Sequence, residues 1–133
     1  MTQYQLTLEK KVCSLYAKVA FGATGAPTLS AVNSKGVLSV TRNGAGDFTF
    51  VFGTTSNGAK LLDTYNKILR ISHTYNSGAS APAAPALYIK TDSVATVGTA
   101  SVRVVLNAAG TATDPANGEI GYFEFIFGDS TAP

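Results

Sequence analysis

The stretch that decides the fold is Gly36–Gly53, which reads GVLSVTRNGAGDFTFVFG. Two runs rich in β-branched and aromatic residues flank a loop at 43–47 that contains Asn-Gly and a second Gly. Because these loop residues reach positive φ at little cost, the pattern predicts a β-hairpin. Phe48, Phe50 and Phe52 share one face of the second strand, and we interpret this stripe as sheet core rather than as a ligand platform.

Similar runs, separated by clusters of Gly, Asn, Asp, Pro and Ser, continue along the chain in both directions. They predict strands at 4–8, 12–21, 36–42, 48–53, 68–75, 87–91, 101–107 and 121–127. The segment 59–67 is the one helix candidate, and the loops 76–85 and 108–119 carry turn signals. We therefore expect an all-β fold: an antiparallel β-sandwich, jelly-roll-like, of about eight or nine strands with at most one short helix. Residues 1–133 form a single domain, in which 1–10 can serve as an extended N-terminal segment.

Three of these strands also predict which side chains face the core, because successive side chains of a strand alternate between its two faces. The sets that share one face are Cys13, Leu15, Ala17, Val19 and Phe21 in the strand 12–21 and Leu69, Ile71, His73 and Tyr75 in the strand 68–75. The last strand is apolar on both faces apart from Glu124. We expect it to lie centrally in a sheet or to be covered by a neighbouring chain.

The composition favours a weakly charged domain with an ordinary core. Of the 133 residues, 14% are charged, 45% are hydrophobic and 59 are Gly, Ala, Ser or Thr. The lone Cys13 has no partner for an intramolecular disulfide, and we interpret it as a small buried hydrophobe. The N-terminus lacks the apolar stretch of a secretory signal, and no run approaches the ~20 apolar residues of a membrane span. We expect folding in a reducing cytoplasm and no membrane partner.

Residues able to carry chemistry are few. His73 is the only histidine, and neither Gly-x-Ser-x-Gly nor a Gly-Lys-Ser/Thr phosphate loop occurs. The longest basic run is two residues, which disfavours nucleic acid as a partner. We expect no catalytic, cofactor-binding or metal site, and we interpret 114–119 as a turn rather than a calcium loop. A small glycan hydrolase using two carboxylates, with Asp114, Glu119 and Glu124 as candidates, stays open.

The charges are divided unevenly along the chain. Residues 1–70 have a net charge of +5, whereas residues 71–133 have a net charge of −3. Such a division has two alternative explanations. The charges are scattered over the surface and keep the protein hydrated, or they serve contacts between copies or with an acidic surface. The interface candidates are Lys10, Lys11 and Arg42, facing an acidic surface, and Tyr122 and Phe127, covered by a neighbouring copy.

One resemblance to a known family rests on strand and turn segments. Gly36–Phe52, Leu61–Tyr65 and Asp114–Glu119 leading into Tyr122–Phe127 resemble the small β-rich virion proteins of tailed bacteriophages, in particular capsid decoration, or cement, proteins. The resemblance runs loosely over residues 20–130 and carries no catalytic residue. It implies a jelly-roll or related β domain, made in the host cytoplasm and added to the outside of an expanded icosahedral shell, where it ties neighbouring capsomers together.

The leading expectation is therefore a structural virion protein on the outer surface of a phage capsid. Its partners are the major capsid protein and further copies of itself, as a homodimer or homotrimer, and it has no cofactor and no enzymatic activity. Many copies stabilise a shell through multivalency even when each contact is weak. The alternative is a carbohydrate- or receptor-binding β-sandwich module of a phage fibre or tail.

Overall fold

The computed structural model describes residues 11–53, 55–56, 59–60, 67–76, 86–94 and 100–129. The side chains of 11–13, 55–56, 59–60, 67 and 129 lie outside that description. The strands in chain order are β1 (Lys11–Phe21), β2 (Pro27–Leu29), β3 (Val37–Gly44), β4 (Asp47–Phe52), β5 (Thr55–Ser56), β6 (Ala59–Lys60), β7 (Lys67–Asn76), β8 (Ala86–Ser93), β9 (Ser101–Ala108), β10 (Thr111–Ala112) and β11 (Ile120–Asp129).

Two antiparallel sheets pack face to face. Sheet A has the strand order β2-β1-β11-β7, and sheet B has the order β10-β9-β4-β3, with β8 also paired to β9. These nine strands confirm the expected all-β antiparallel sandwich, while β5 and β6 form a separate small hairpin. The jelly-roll connectivity is not confirmed: the consecutive pairs β3–β4 and β8–β9 each stay within sheet B.

Helical structure within the described ranges is limited to one 3-10 turn, Ala23–Gly25. The helix candidate at 59–67 is replaced at its ends by strands, since Ala59 and Lys60 form β6 and Lys67 begins β7. Its centre, 61–66, lies outside the described residues, as do the predicted strand 4–8 and most of the loop 76–85. In the part of the chain that the structure describes, no helix is long and apolar enough to cross a bilayer.

The predicted hairpin forms, with a tighter turn than the sequence pattern indicates. β3 continues to Gly44 and β4 begins at Asp47, so the turn is reduced to Ala45 and Gly46. Gly46 has φ +66°, the left-handed conformation that favours glycine. Asn43 belongs to the strand rather than the loop, because its Nδ2 donates to the Thr49 Oγ1 across the ladder at 2.7 Å.

The core between the sheets is a stack of phenylalanine rings. Phe50 of β4 lies 5.2 Å from Phe123 and 5.0 Å from Phe125, measured between ring centroids. Phe52 lies 4.9 Å from Phe125 and 5.0 Å from Phe127, so each ring of one strand sits between two rings of the other. All five rings are buried. The aromatic stripe predicted at period two is therefore sheet core.

The alternation predicted for β1 is confirmed where its side chains are described. Leu15, Ala17, Val19 and Phe21 are buried, while Tyr16 is exposed on the opposite face. The side chain of Cys13 lies outside the described residues, so its burial stays a prediction. β11 is paired with β1 on one side and β7 on the other, which confirms its predicted central position.

The alternation predicted for β7 is wrong at Leu69. The register with β11 shifts between Ile126 and Phe127, so that Ile68 opposite Phe127 packs against the core and Leu69 is unpaired in a bulge. The side chain of Leu69 is consequently exposed. A bulge inserts one residue into a strand and inverts the alternation on one side of it, and period-two counting does not reveal this. Ile71, His73 and Tyr75 keep their predicted partly buried face.

The ring stack makes Phe125 the most sensitive core position. We expect Phe125→Ala to lower the free energy of unfolding by about 3–5 kcal/mol, because it removes contacts to rings of both sheets and leaves a cavity. Tyr122→Ala, in the same strand on the exposed face, is the control and should cost less than ~1 kcal/mol. Urea unfolding measures both values, and equal losses would contradict the assignment of the core.

Two features make a side chain at Gly46 costly: its positive φ and the close approach of neighbouring backbone. A Cβ at this position would collide with the backbone of Leu106 and Thr113, whereas a Cβ on Gly110, at φ +84°, would meet open space. Both Gly→Ala changes carry the cost of a left-handed alanine, about 1–2 kcal/mol. Gly46→Ala should cost about 1–3 kcal/mol more than Gly110→Ala in chemical denaturation. Similar losses for the two variants would show that the hairpin end is not tightly packed.

Candidate functional site

The outer face of sheet A has an arrangement of aromatic and polar side chains that the alternation of three neighbouring strands creates. The register gives two adjacent rows across β1, β11 and β7, namely Tyr16, Glu124, Ser72 and Lys18, Tyr122, Thr74. In its strand, each of these residues alternates with core residues, so its side chain points away from the ring stack. Tyr16 and Tyr122 are 47% and 42% exposed, and they lie in adjacent rows of this face.

These rows line a shallow groove of about 260 Å³, which we call the sheet A groove. Its lining includes the side chains of Tyr16, Asn33, Ser72, Thr74, Tyr122 and Glu124. The groove is open to solvent along the strands, and it combines aromatic rings with hydroxyl, amide and carboxylate groups. Such a mixture of a few polar groups with apolar walls is typical of small-molecule sites.

The loop between β2 and β3 supplies Asn33 to the groove. The backbone of Tyr16 exchanges two hydrogen bonds with Lys35, at 3.2 Å and 2.8 Å, and the amide of Lys18 donates to the Ser34 Oγ at 3.0 Å. The loop is thereby attached to β1 beyond the end of β2. Val32 at its tip is 92% exposed.

Two contacts hold charged side chains in place on this face. The Ser14 hydroxyl donates to the Glu124 Oε2 at 2.9 Å. The Lys18 Nζ lies 5.9 Å from the centroid of the Tyr122 ring, within the range of a cation–π contact. Glu124 is the one charged residue among those that line the groove, while Lys18 and Arg70 lie in the same rows or the next row of this face.

Arg42 forms an ion pair within the chain. Its Nε and Nη2 donate to the Asp114 Oδ1 and Oδ2 at 3.0 Å and 2.7 Å, and the Gly46 amide donates to the same Oδ1 at 2.8 Å. These donors hold the pKa of Asp114 below its usual range. Arg42 therefore does not fit the expected role of a free cation facing an acidic surface. The 114–119 segment does not fit a calcium loop either, because a guanidinium already occupies its first carboxylate.

A second carboxylate, Asp47, is buried at the start of β4 and was not identified from the sequence. Arg103 donates to both oxygens, at 2.7 Å and 2.8 Å, and the Lys90 Nζ donates to Oδ2 at 3.1 Å. These donors, Arg103 foremost, hold the pKa of Asp47 far below its usual range. Asp47 and Arg103 are 56 residues apart in sequence, so no local pattern indicated their pairing.

His73, Tyr75 and Glu119 are buried or half-buried near the N-terminal end of β11. His73 packs against Tyr75 and Phe123, with ring centroids 5.5 Å and 6.5 Å away, and its burial lowers the pKa of the imidazole. Burial, and secondarily the charge of Glu119, raises the pKa of Tyr75. The His73 Nδ1 and the Tyr75 hydroxyl are buried without a hydrogen-bond partner among the described residues. Both rings therefore stay neutral near pH 7 and act as packing groups.

The carboxylates considered for a hydrolase lie in three different environments. Asp114 is engaged by Arg42, Glu119 is buried, and Glu124 lies exposed in the sheet A groove. No three His, Cys, Asp or Glu side chains cluster to form a metal site within the described ranges. The groove lining contains one carboxylate, whereas hydrolysis of a glycosidic bond ordinarily uses two.

The remaining interface candidates have mixed outcomes. Lys10 lies outside the described residues, and Lys11 begins β1 with a side chain that is not described. Tyr122 is exposed and lines the sheet A groove. Phe127 does not fit a surface covered by another copy, because it is 0% exposed and packs against Phe52 inside the sandwich.

Of the polar and tyrosine residues that line the groove, sequence reasoning selected Tyr122 and Glu124 as candidates but not Tyr16, Asn33, Ser72 or Thr74. The alternation of β1 already placed Tyr16 on the outward face, and an aromatic residue on a polar face was the available signal. Asn33 had no such signal, because its position depends on how the loop is attached to β1.

Comparisons of the chain with family models, with curated proteins and with solved structures find no match.

The Asp114 ion pair predicts a loss of stability in acid. A carboxylate whose pKa is lowered by folding contributes stability that is present above its ordinary pKa of about 4 and is lost as the pH falls through the folded value. We expect Asp114→Asn to lower stability at pH 7 and to reduce the decline between about pH 5 and pH 2. Urea unfolding at a series of pH values measures this slope, and Arg42→Met should change it in the same direction. An unchanged slope in both variants would contradict the pairing.

Proposed function

We propose that the chain is a structural virion protein that binds the outside of an icosahedral phage capsid and stabilises it by contacts with neighbouring capsomers. Support comes from the all-β sandwich, which is the fold class that the resemblance to decoration proteins implies. It also comes from the surface, because a protein that ties two capsomers together needs apolar contact groups on more than one side.

The observation that carries this proposal is the distribution of exposed large hydrophobic side chains over both sheets. On sheet A they are Tyr16, Leu69 and Tyr122, on sheet B they are Leu38, Tyr88 and Ile89, and Val32 lies on the loop between β2 and β3. Soluble monomers expose single apolar residues routinely, but several groups on opposite sides are typical of proteins with more than one contact.

Among these groups, we assign the capsid contact to Tyr88, Ile89 and Lys90, which we call the β8 surface. Tyr88 and Ile89 are 51% and 39% exposed and consecutive in β8, so their side chains lie on opposite faces of that strand. Lys90 and Arg103 together face the single carboxylate of Asp47, which leaves one positive charge in surplus. One exposed apolar side chain on each face of β8, beside a surplus positive charge, suits a shell surface with exposed apolar and acidic groups.

The partner would be the major capsid protein, and further copies of this chain, as a homodimer or homotrimer, would extend the contact. Repetition over a shell makes weak individual contacts sufficient, since each additional contact of an assembled copy is effectively intramolecular. The proposal assigns no catalytic step and no cofactor to the chain. Its location would be the outer surface of the virion.

Binding to expanded, undecorated capsids tests the proposal. We expect the purified chain to bind them and to raise their melting temperature. The double variant Tyr88→Thr/Ile89→Thr should bind at least tenfold more weakly, because it removes both exposed apolar groups while keeping strand propensity. Ala20→Thr, at an exposed position of β1 that is not among these apolar groups, is the control and should bind like the unmodified chain. Absence of binding, together with an unchanged melting temperature, would refute the capsid function.

A carbohydrate- or receptor-binding module of a phage fibre or tail is the second candidate, and the sheet A groove is the observation that favours it. Images of assembled particles separate the two candidates, because a decoration protein is expected on the shell and a fibre module on the tail.

A further inference from the structure

We propose that the sheet A groove is a binding site for a neutral saccharide. This inference rests on the second candidate function, which it makes specific, and not on the capsid function, because it concerns the opposite sheet from the β8 surface. It rests on three properties of the groove: two exposed tyrosine rings, a set of polar groups with capacity for further hydrogen bonds, and Glu124 as the one charged side chain among its lining residues.

The tyrosine rings supply the apolar part of the site. Tyr16 pairs with Glu124 and Tyr122 pairs with Lys18 in the ladder between β1 and β11, so the two tyrosines are diagonal neighbours. Diagonal neighbours on one sheet face are about 7–8 Å apart, a spacing that one or two pyranose rings can span. A sugar ring has an apolar C–H face and a polar rim, which matches an aromatic ring with a hydroxyl at its edge.

Polar groups surround these rings and have capacity for additional hydrogen bonds. Within the described residues, the hydroxyls of Ser72 and Thr74 on β7 have no hydrogen-bond partner. Glu124 has one oxygen accepting from Ser14, which leaves Oε1 for a ligand hydroxyl. Asn33 uses its Nδ2 to bond Ser30 at 3.2 Å and presents its carbonyl oxygen. Sugar hydroxyls both donate and accept, so they can satisfy all four groups.

The charges select a neutral ligand. Glu124 would repel the carboxylate of an acidic sugar, and the ammonium of Lys18 already contacts the Tyr122 ring. With Glu124 as the single carboxylate of the groove lining, the site lacks the pair that glycoside hydrolysis ordinarily uses. Binding without cleavage is the resulting expectation.

The size of the groove also favours a saccharide over a protein. A volume of about 260 Å³ lies just below the usual range of small-molecule sites and suits one sugar ring, with further rings extending along the open groove. A stable protein interface covers roughly 800 Å² of each partner, far more than this groove presents. For a ligand of one or two rings in an open site we expect a Kd on the order of 0.1–1 mM.

The test is a titration followed by amide NMR, with the full chain and three neutral tetrasaccharides: cellotetraose, maltotetraose and mannotetraose. We expect at least one of them to shift the amides around Tyr16, Ser72 and Tyr122 with saturable curves. An equivalent concentration of free glucuronate should shift them less, because its carboxylate faces Glu124.

Variants connect the binding to the proposed side chains. Tyr122→Thr should weaken the best tetrasaccharide at least tenfold, while Tyr88→Thr, which removes an equally exposed tyrosine from sheet B, should leave its Kd within twofold. Glu124→Gln keeps the shape of the side chain and should weaken binding about three- to tenfold. It also serves as the second variant if Tyr122→Thr does not give a folded amide spectrum.

Several results would overturn the proposal. One is that none of the three tetrasaccharides shifts the groove amides. If Tyr122→Thr then changes the oligomeric state, the face is a contact between copies instead. Another is equal weakening by Tyr122→Thr and Tyr88→Thr, which would indicate non-specific association. Capsid binding, measured in parallel with the β8 variants, can fail or succeed independently of saccharide binding.

Discussion

The rest of the structure depends on the interdigitation of phenylalanine rings between β4 and β11. Phe50 and Phe52 each lie between two rings of the opposite sheet, at centroid distances of 4.9–5.2 Å. A one-residue slip of β4 or β11 within its own sheet would turn these rings to solvent, since the side-chain period of a strand is two. The stack therefore sets the relative position of the sheets, and with it every outward position. Tyr122 and Glu124 reach the surface because Phe123 and Phe125 are required inside.

Two buried or half-buried ion pairs secure the hairpin at the end of this stack. Asp114 connects the segment before β11 to Arg42 and to the Gly46 amide, and Asp47 binds Arg103 of β9. Charge pairs of this kind add less net stability than their geometry suggests, because both partners lose hydration. They do specify which segments lie together, since an unpaired carboxylate at these positions would be costly. The charged side chains at the centre of sheet B are thus paired within the chain, whereas Glu124 and the hydroxyls of Ser72 and Thr74 on sheet A line the groove.

Much of the fold follows from local sequence pattern, and the exceptions have identifiable causes. The hairpin, the aromatic stripe and the alternation of β1 were predictable because they reflect turn chemistry and a period of two. Leu69 was misassigned because a bulge in β7 inverts the alternation. Arg42 and Phe127 were selected as surface groups because a charge or an aromatic residue at a strand end looks the same in sequence whether its partner is solvent or another segment. Their partners, Asp114 and Phe52, are distant in the chain.

The amino-acid sequence by itself determined the fold class, the position of the hairpin and the buried faces of β1 and β4, because these properties depend on the backbone preferences and spacing of neighbouring residues. Only the tertiary structure decided which strands are adjacent, and therefore which side chains meet on the outer face of sheet A. The groove brings together residues from Tyr16 to Glu124, more than a hundred positions apart. A period-two pattern states which face of a strand is buried, but it contains no information on the neighbouring strand. The packing of the phenylalanine rings and the pairing of Asp47 and Asp114 with arginines determine which strands are neighbours.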